Sequence, residues 1–150
     1  MSSRRIEDLT PRMQTKVRRF EACLESAVPG AFKRSCTLRT SQEQAALYLR
    51  GRYSLAVVND AYGKAGMAPI TEAENLHCVT WTKETVHEKR EAVDYFIQRD
   101  GKYCNDIKVD TDGDKVEDWQ EFGRIAEICG LEWGGNFHQR DYAHVQWRDA

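Results

Sequence analysis

The sequence predicts a small α+β domain in which helices pack on a central antiparallel sheet. Three observations carry that prediction. Apolar stripes of helical period stand near both ends of the chain, and runs rich in β-branched and aromatic residues lie between and after them. Asp100-Gly101 joins two of those runs, a hairpin signal that makes the pairing antiparallel. The length of 150 residues is one domain's worth, with 41% hydrophobic and 31% charged residues, as in an ordinary globular protein. No repeat, low-complexity stretch or linker divides it, so a single domain over 1–150 is expected.

The first helix is marked by Ile6, Leu9, Met13, Val17, Phe20, Leu24 and Val28, which recur at steps of three and four. Thr10 and Pro11 read as its N-cap and first-turn proline, and Pro29-Gly30 ends it. Arg4, Arg5, Arg12, Lys16, Arg18 and Arg19 make this region basic. Such charge can draw a protein to an anionic envelope, although a solvated helix face is the commoner meaning. Residues 31–38 read as a strand, and 39–41 as a turn. Ser41 with Gln44 suggests a capping box, and Ala45, Ala46, Leu47 and Leu49 a second helix that Gly51 stops.

From 52 to 81, Gly63, Gly66 and Pro69 predict a long surface excursion of loop and short strand pieces, a type of segment that often shapes a substrate groove. Residues 92–97 form a buried-strand pattern continuing to Arg99, with a return over 102–109. Trp119, Phe122, Ile125, Ala126 and Cys129 give a third helix over about 118–129, stopped by Gly130. Residues 131–137 read as a loop rich in glycine and aromatics. The last strand carries His144, with Gln146 on the same face and Val145 and Trp147 on the other.

Composition excludes several functions. A net charge of −2 argues against a nucleic-acid binder. No apolar run reaches the length of a membrane span, and the N-terminus lacks the apolar core of a secretory signal, so synthesis in the cytoplasm is expected. Five scattered cysteines without a C-x-x-C pair read as reduced, mostly buried thiols rather than a disulfide framework or a catalytic nucleophile.

The chemistry lies in Asp94, a carboxylate inside an apolar run and costly there unless paired or metal-bound. His87 stands seven residues ahead of it, and His144 lies on the last strand. Two imidazoles and a carboxylate make a three-ligand zinc set with a fourth position open for water, beside which Asp141 would stand as a carboxylate outside the ligand set. That is the pattern of a zinc peptidase. Taken singly, His144 is more often a hydrogen-bonded strand histidine and Asp94 a buried pair partner. The metalloprotease motif H-E-x-x-H fails, because Glu91 stands where its second histidine belongs. His77 and His138 acquire no role. Residues 110–121 place Asp110, Asp112, Asp114, Asp118 and Glu121 at the oxygen-ligand positions of a calcium loop. Gly113 is at the fourth position rather than the sixth, however, and an acidic turn capping the next helix is the competing reading.

With these stretches placed, the chain resembles the zinc peptidases of bacterial cell-wall peptides, the D-Ala-D-Ala carboxypeptidase and L-alanyl-D-glutamate endopeptidase family. Their hallmark S-x-H-x-x-G-x-A-x-D, followed by D/E-x-x-H, is met by Thr85, His87, Arg90, Ala92 and Asp94, then Asp141 and His144. An R-[ST]-x-x-x-Q-x-x-L-Y segment is met by Arg39, Thr40, Gln44, Leu47 and Tyr48, and Trp133-Gly134-Gly135 also matches. The resemblance runs over about 36–147, the expected catalytic core. It implies the hedgehog/DD-peptidase-like fold, with one zinc held by His87, Asp94 and His144. It further implies Asp141 as proton acceptor and donor, and Arg39 holding substrate or stabilising the oxyanion. Thr85 keeps the hydroxyl of the family serine, whereas Arg90 puts a large cation where the family has glycine. The expected activity is cleavage of the L-alanyl-D-glutamate bond in the peptidoglycan stem peptide. A monomeric phage endolysin is implied, made in the host cytoplasm and released to the wall through a holin pore. A D-Ala-D-Ala carboxypeptidase and a non-catalytic zinc-stabilised wall-binding module are the alternatives.

Overall fold

The computed structural model describes residues 3–80, 90–104 and 106–149. Its first helix, α1 (Pro11–Ala27), starts where the sequence predicts, with the Thr10 side chain accepting from the Met13 N–H and Pro11 in the first turn. Met13, Val17, Phe20 and Leu24 are buried along one stripe. Ile6 and Leu9 join the same core from outside the helix, Ile6 on a 3-10 turn (Ile6–Asp8) and Leu9 just after it.

β1 (Phe32–Cys36) leads to α2 (Ser41–Leu49). The capping box of α2 is one residue earlier than expected. Thr40 Oγ1 accepts from the Glu43 N–H at 3.1 Å, and the Glu43 carboxylate accepts the Thr40 N–H at 3.2 Å. Gln44, the expected partner of Ser41, is buried and binds Arg39 and Thr80 instead.

The expected excursion after Gly51 contains a further helix, α3 (Leu55–Lys64), rather than strand pieces. Ser54 caps it, and Val58 and Tyr62, four residues apart, pack with Ala46 in a second small core. Gly63 closes its last turns and does not break it.

The sheet is built around β2 (Ala92–Arg99). β1 pairs with one edge of it, and β5 (His144–Trp147) and β3 (Lys102–Cys104) pair in succession with the other. β4 (Leu131–Trp133) closes the order β1-β2-β5-β4, with every pairing antiparallel. The return strand is shorter than predicted, and further on the Val109 N–H donates to the Asp106 carbonyl in a turn. The predicted loop at 131–137 opens with β4, whose alternation buries Leu131 and Trp133.

Val93, Tyr95 and Ile97 turn one face of β2 toward α1 and α4 (Asp118–Ile128). There Phe20, Tyr95 and Phe122 meet edge to face, with ring centroids 5.1–5.7 Å apart. The other face carries Asp94. The expected α+β architecture, helices on an antiparallel sheet, is what forms.

Two of the basic residues of α1 are structural. Arg12 holds Glu91 through two hydrogen bonds of 2.6 and 2.7 Å, and its guanidinium stacks on Trp147. Lys16 covers the same ring and donates to the Gly130 carbonyl at 2.7 Å. Among the described residues no helix is long and apolar enough to cross a membrane.

Candidate metal centre

Antiparallel register sets Asp94 on β2 directly opposite His144 on β5, and directly opposite residues share a face. His144 is buried, and its Nδ1 lies 3.0 Å from Asp94 Oδ1. Its Nε2 meets Gln146 Oε1 at 2.8 Å, and Gln146 Nε2 donates to Glu132 on β4 at 3.2 Å. Burial alone would lower the His144 pKa. The hydrogen bond and charge of Asp94, with smaller help from Gln146 and Asp141, outweigh burial and raise it.

Asp141 reaches the site from the turn before β5. Its N–H donates to the Gly134 carbonyl at 2.9 Å, and its own carbonyl accepts the His144 N–H at 3.3 Å. The Trp133 indole pins this turn by donating to the Tyr142 carbonyl at 2.9 Å. Ligand atoms of Asp94, Asp141 and His144 all lie within 4.8 Å of one another, an oxygen and nitrogen donor set of the kind zinc takes.

Arg39 borders the group. Its Nη1 donates to Gln44 Oε1 at 2.8 Å, Nη2 lies 3.9 Å from Asp94 Oδ2, and buried Nε has no partner among the described residues. Of the predicted site residues, Asp94, Asp141, His144 and Arg39 therefore come together. His87 and Thr85 lie outside the described residues. His77 and His138 are exposed.

Arg90 is left-handed, at φ 61, with its carbonyl accepting the Thr10 N–H. A glycine in the family pattern is what this backbone favours. Cys36 on β1 is paired opposite Asp94, but burial pushes its thiol up to about 11, which leaves it a poor nucleophile. Sequence reasoning placed Gln146 on the His144 face without giving it a role, and it missed Glu132 altogether. The only signal for Glu132 is its pairing with Gln146, which cannot be read before the register is known.

The acidic segment 110–121 is a self-capped turn. Asp110 accepts the N–H groups of Gly113 and Lys115, Asp112 that of Asp114, and Asp114 that of Val116. Buried Asp118 takes both the N–H and hydroxyl of Thr111. These contacts do not support the calcium that the spacing suggested. Desolvation and the neighbouring Asp114 raise Glu121 to about 8 from an ordinary 4.5. The folded state therefore binds this proton more tightly than the unfolded state. Its contribution to stability is complete below pH 4.5 and is lost as pH rises through 8. Glu121→Gln, a permanent mimic of the protonated acid, is expected to melt higher than wild type at pH 9 and to lose the fall in Tm between those pH values. Equal Tm-versus-pH slopes for the two proteins would disprove the assignment.

Residues 79–147 match the family model described as D-alanyl-D-alanine carboxypeptidase. The crystal structure of Serratia marcescens L-Ala D-Glu endopeptidase ChiX is similar in fold, with a TM-score of 0.56 and 19% sequence identity over 99% of this chain and 89% of that one. No curated protein matches the chain in sequence. The fold is that of the Serratia protein, and the clustered carboxylates and imidazole form a candidate metal site of the kind a metallopeptidase uses. The segment that carries Asp94, Asp141 and His144 is thus similar to the family described as D-alanyl-D-alanine carboxypeptidase.

Proposed function

We propose that this chain is a zinc endopeptidase that cleaves the L-alanyl-D-glutamate bond of the peptidoglycan stem peptide. The observation that carries the reading is the convergence of Asp94, Asp141 and His144 on a segment matching a peptidase family. The named activity of the Serratia protein of similar fold favours the endopeptidase bond. His87, Asp94 and His144 would hold the zinc. When bound, zinc supplies Lewis acidity, polarising a carbonyl and making water acidic enough to attack near neutral pH.

Asp141, exposed at the turn, takes the proton from the attacking water and returns it to the leaving amine. Arg39, braced by Gln44, aims a guanidinium at the negative charge of substrate or oxyanion. By the resemblance of its motifs alone, the proposed role is that of a phage endolysin, made in the host cytoplasm, released to the wall through a holin and antibacterial in effect.

The test is incubation of the purified protein with Gram-negative peptidoglycan, with and without a chelator, and identification of the released peptides by mass. Peptides beginning at D-Glu, lost on chelation and restored by zinc, are the expected result. Release of terminal D-Ala alone would make it a carboxypeptidase, the activity in the family model's description. A zinc-loaded protein that cleaves nothing would be a wall-binding module.

A further inference from the structure

The three side chains Glu132, Gln146 and His144 project from one face of neighbouring strands. Gln146 pairs across the sheet with Glu132, and His144 lies two residues along the same strand. Their polar atoms form a chain of 3.2 and 2.8 Å contacts that ends on the His144 ring. A carboxylate accepts hydrogen bonds and does not donate them, so the end of the Gln146 amide that faces Glu132 must be its NH2. The carbonyl end then faces His144 Nε2. A carbonyl can only accept, so that ring nitrogen must carry a hydrogen.

We propose that Glu132 and Gln146 are positioning residues that set the tautomer of His144. Glu132 fixes the amide and the amide keeps the hydrogen on Nε2, so Nδ1, which donates to Asp94 in the metal-free site, is the nitrogen that gives up its proton to solvent and binds the metal. With the amide reversed, its NH2 would demand the lone pair of Nε2. The ring would then keep its hydrogen on Nδ1, which blocks metal binding there. Glu132 prevents the reversal because it has no hydrogen to offer the carbonyl end. The inference rests on His144 being a zinc ligand, as proposed above. Outer partners of this kind typically change metal affinity by about 10- to 100-fold when removed.

Zinc affinity, measured by competition with a chromogenic chelator, separates the possibilities. Gln146→Leu is expected to bind zinc at least about 10-fold more weakly than wild type. Glu132→Gln, which leaves the fold's apolar contacts alone, is expected to lose affinity by a smaller factor, because the amide can then sit either way. The swapped pair, Glu132→Gln with Gln146→Glu, restores a one-way chain. The carboxylate moved to position 146 accepts both from the His144 ring and from the amide moved to position 132. It should recover wild-type affinity. Two-bond proton–nitrogen NMR of the zinc-loaded wild type should show hydrogen on Nε2 of His144. Hydrogen on Nδ1, or wild-type affinity in both single variants, overturns the tautomer assignment while leaving the zinc reading intact. Wild-type protein that takes up no zinc overturns the zinc reading and this inference with it.

Discussion

Asp141→Ala is expected to remove turnover while leaving zinc uptake unchanged. The carboxylate stands on an exposed turn, within 4.8 Å of the ligand atoms of Asp94 and His144, where it can meet an attacking water. Loss of a general base typically costs about 10²- to 10⁴-fold in rate. The backbone that positions the residue stays, because the hydrogen bonds from its N–H to Gly134 and from His144 N–H to its carbonyl do not involve the side chain. The measurement is peptide release set beside bound zinc per chain. Loss of zinc together with activity would make Asp141 a ligand, and retained activity would remove it from the chemistry.

Gly134→Ala should be nearly as damaging, though the residue has no functional group. A Cβ there would lie 2.3 Å from the Asp141 carbonyl oxygen, 3.0 Å from His144 Cβ and 3.2 Å from Asp141 Cβ. Those atoms are backbone or first side-chain carbons, so no rotamer change relieves the clash, and the turn itself must move. Displacements of about 1 Å in a catalytic group can cost about 10²-fold in rate. A drop of that order in kcat is expected, with a destabilisation of about 1–3 kcal/mol from overpacking. Thermal melts and peptide release on the same preparation test both. Wild-type turnover in Gly134→Ala would mean that the turn does not position Asp141.

That Asp94 and His144 belong to one site was legible in the sequence, because a carboxylate inside an apolar run needs a partner or a metal and the imidazole completes a ligand set. That their two strands are neighbours was not legible, because 50 residues separate them and only the register sets them opposite. α1 was legible from seven apolar residues at helical steps and a Thr-Pro start. α3 was not, because Gly63 and Gly66 read as breakers, although the helix ends with Gly63 inside it and Gly66 beyond it. The choice between Ser41 and Thr40 as cap was ambiguous locally. It was settled by tertiary demand, since Arg39 and Thr80 claim Gln44. Arg90 stood out as a departure from a family glycine, but the left-handed backbone that explains the glycine belongs to three dimensions. An L-residue in that conformation costs roughly 1–2 kcal/mol.

The place of β5 in the sheet makes the candidate site depend on long-range contacts. It follows every other strand along the chain, yet it is inserted between β2 and β4, and it brings His144 with it. The clasp around it joins residues far apart, with Arg12 meeting Glu91 across 79 positions and Lys16 meeting Gly130 across 114. Contacts of such long range form slowly, because loop-closure entropy opposes them until neighbouring structure is in place. Asp141 and His144 both lie in residues 141–147, so the candidate site is complete only once that segment is paired between β2 and β4.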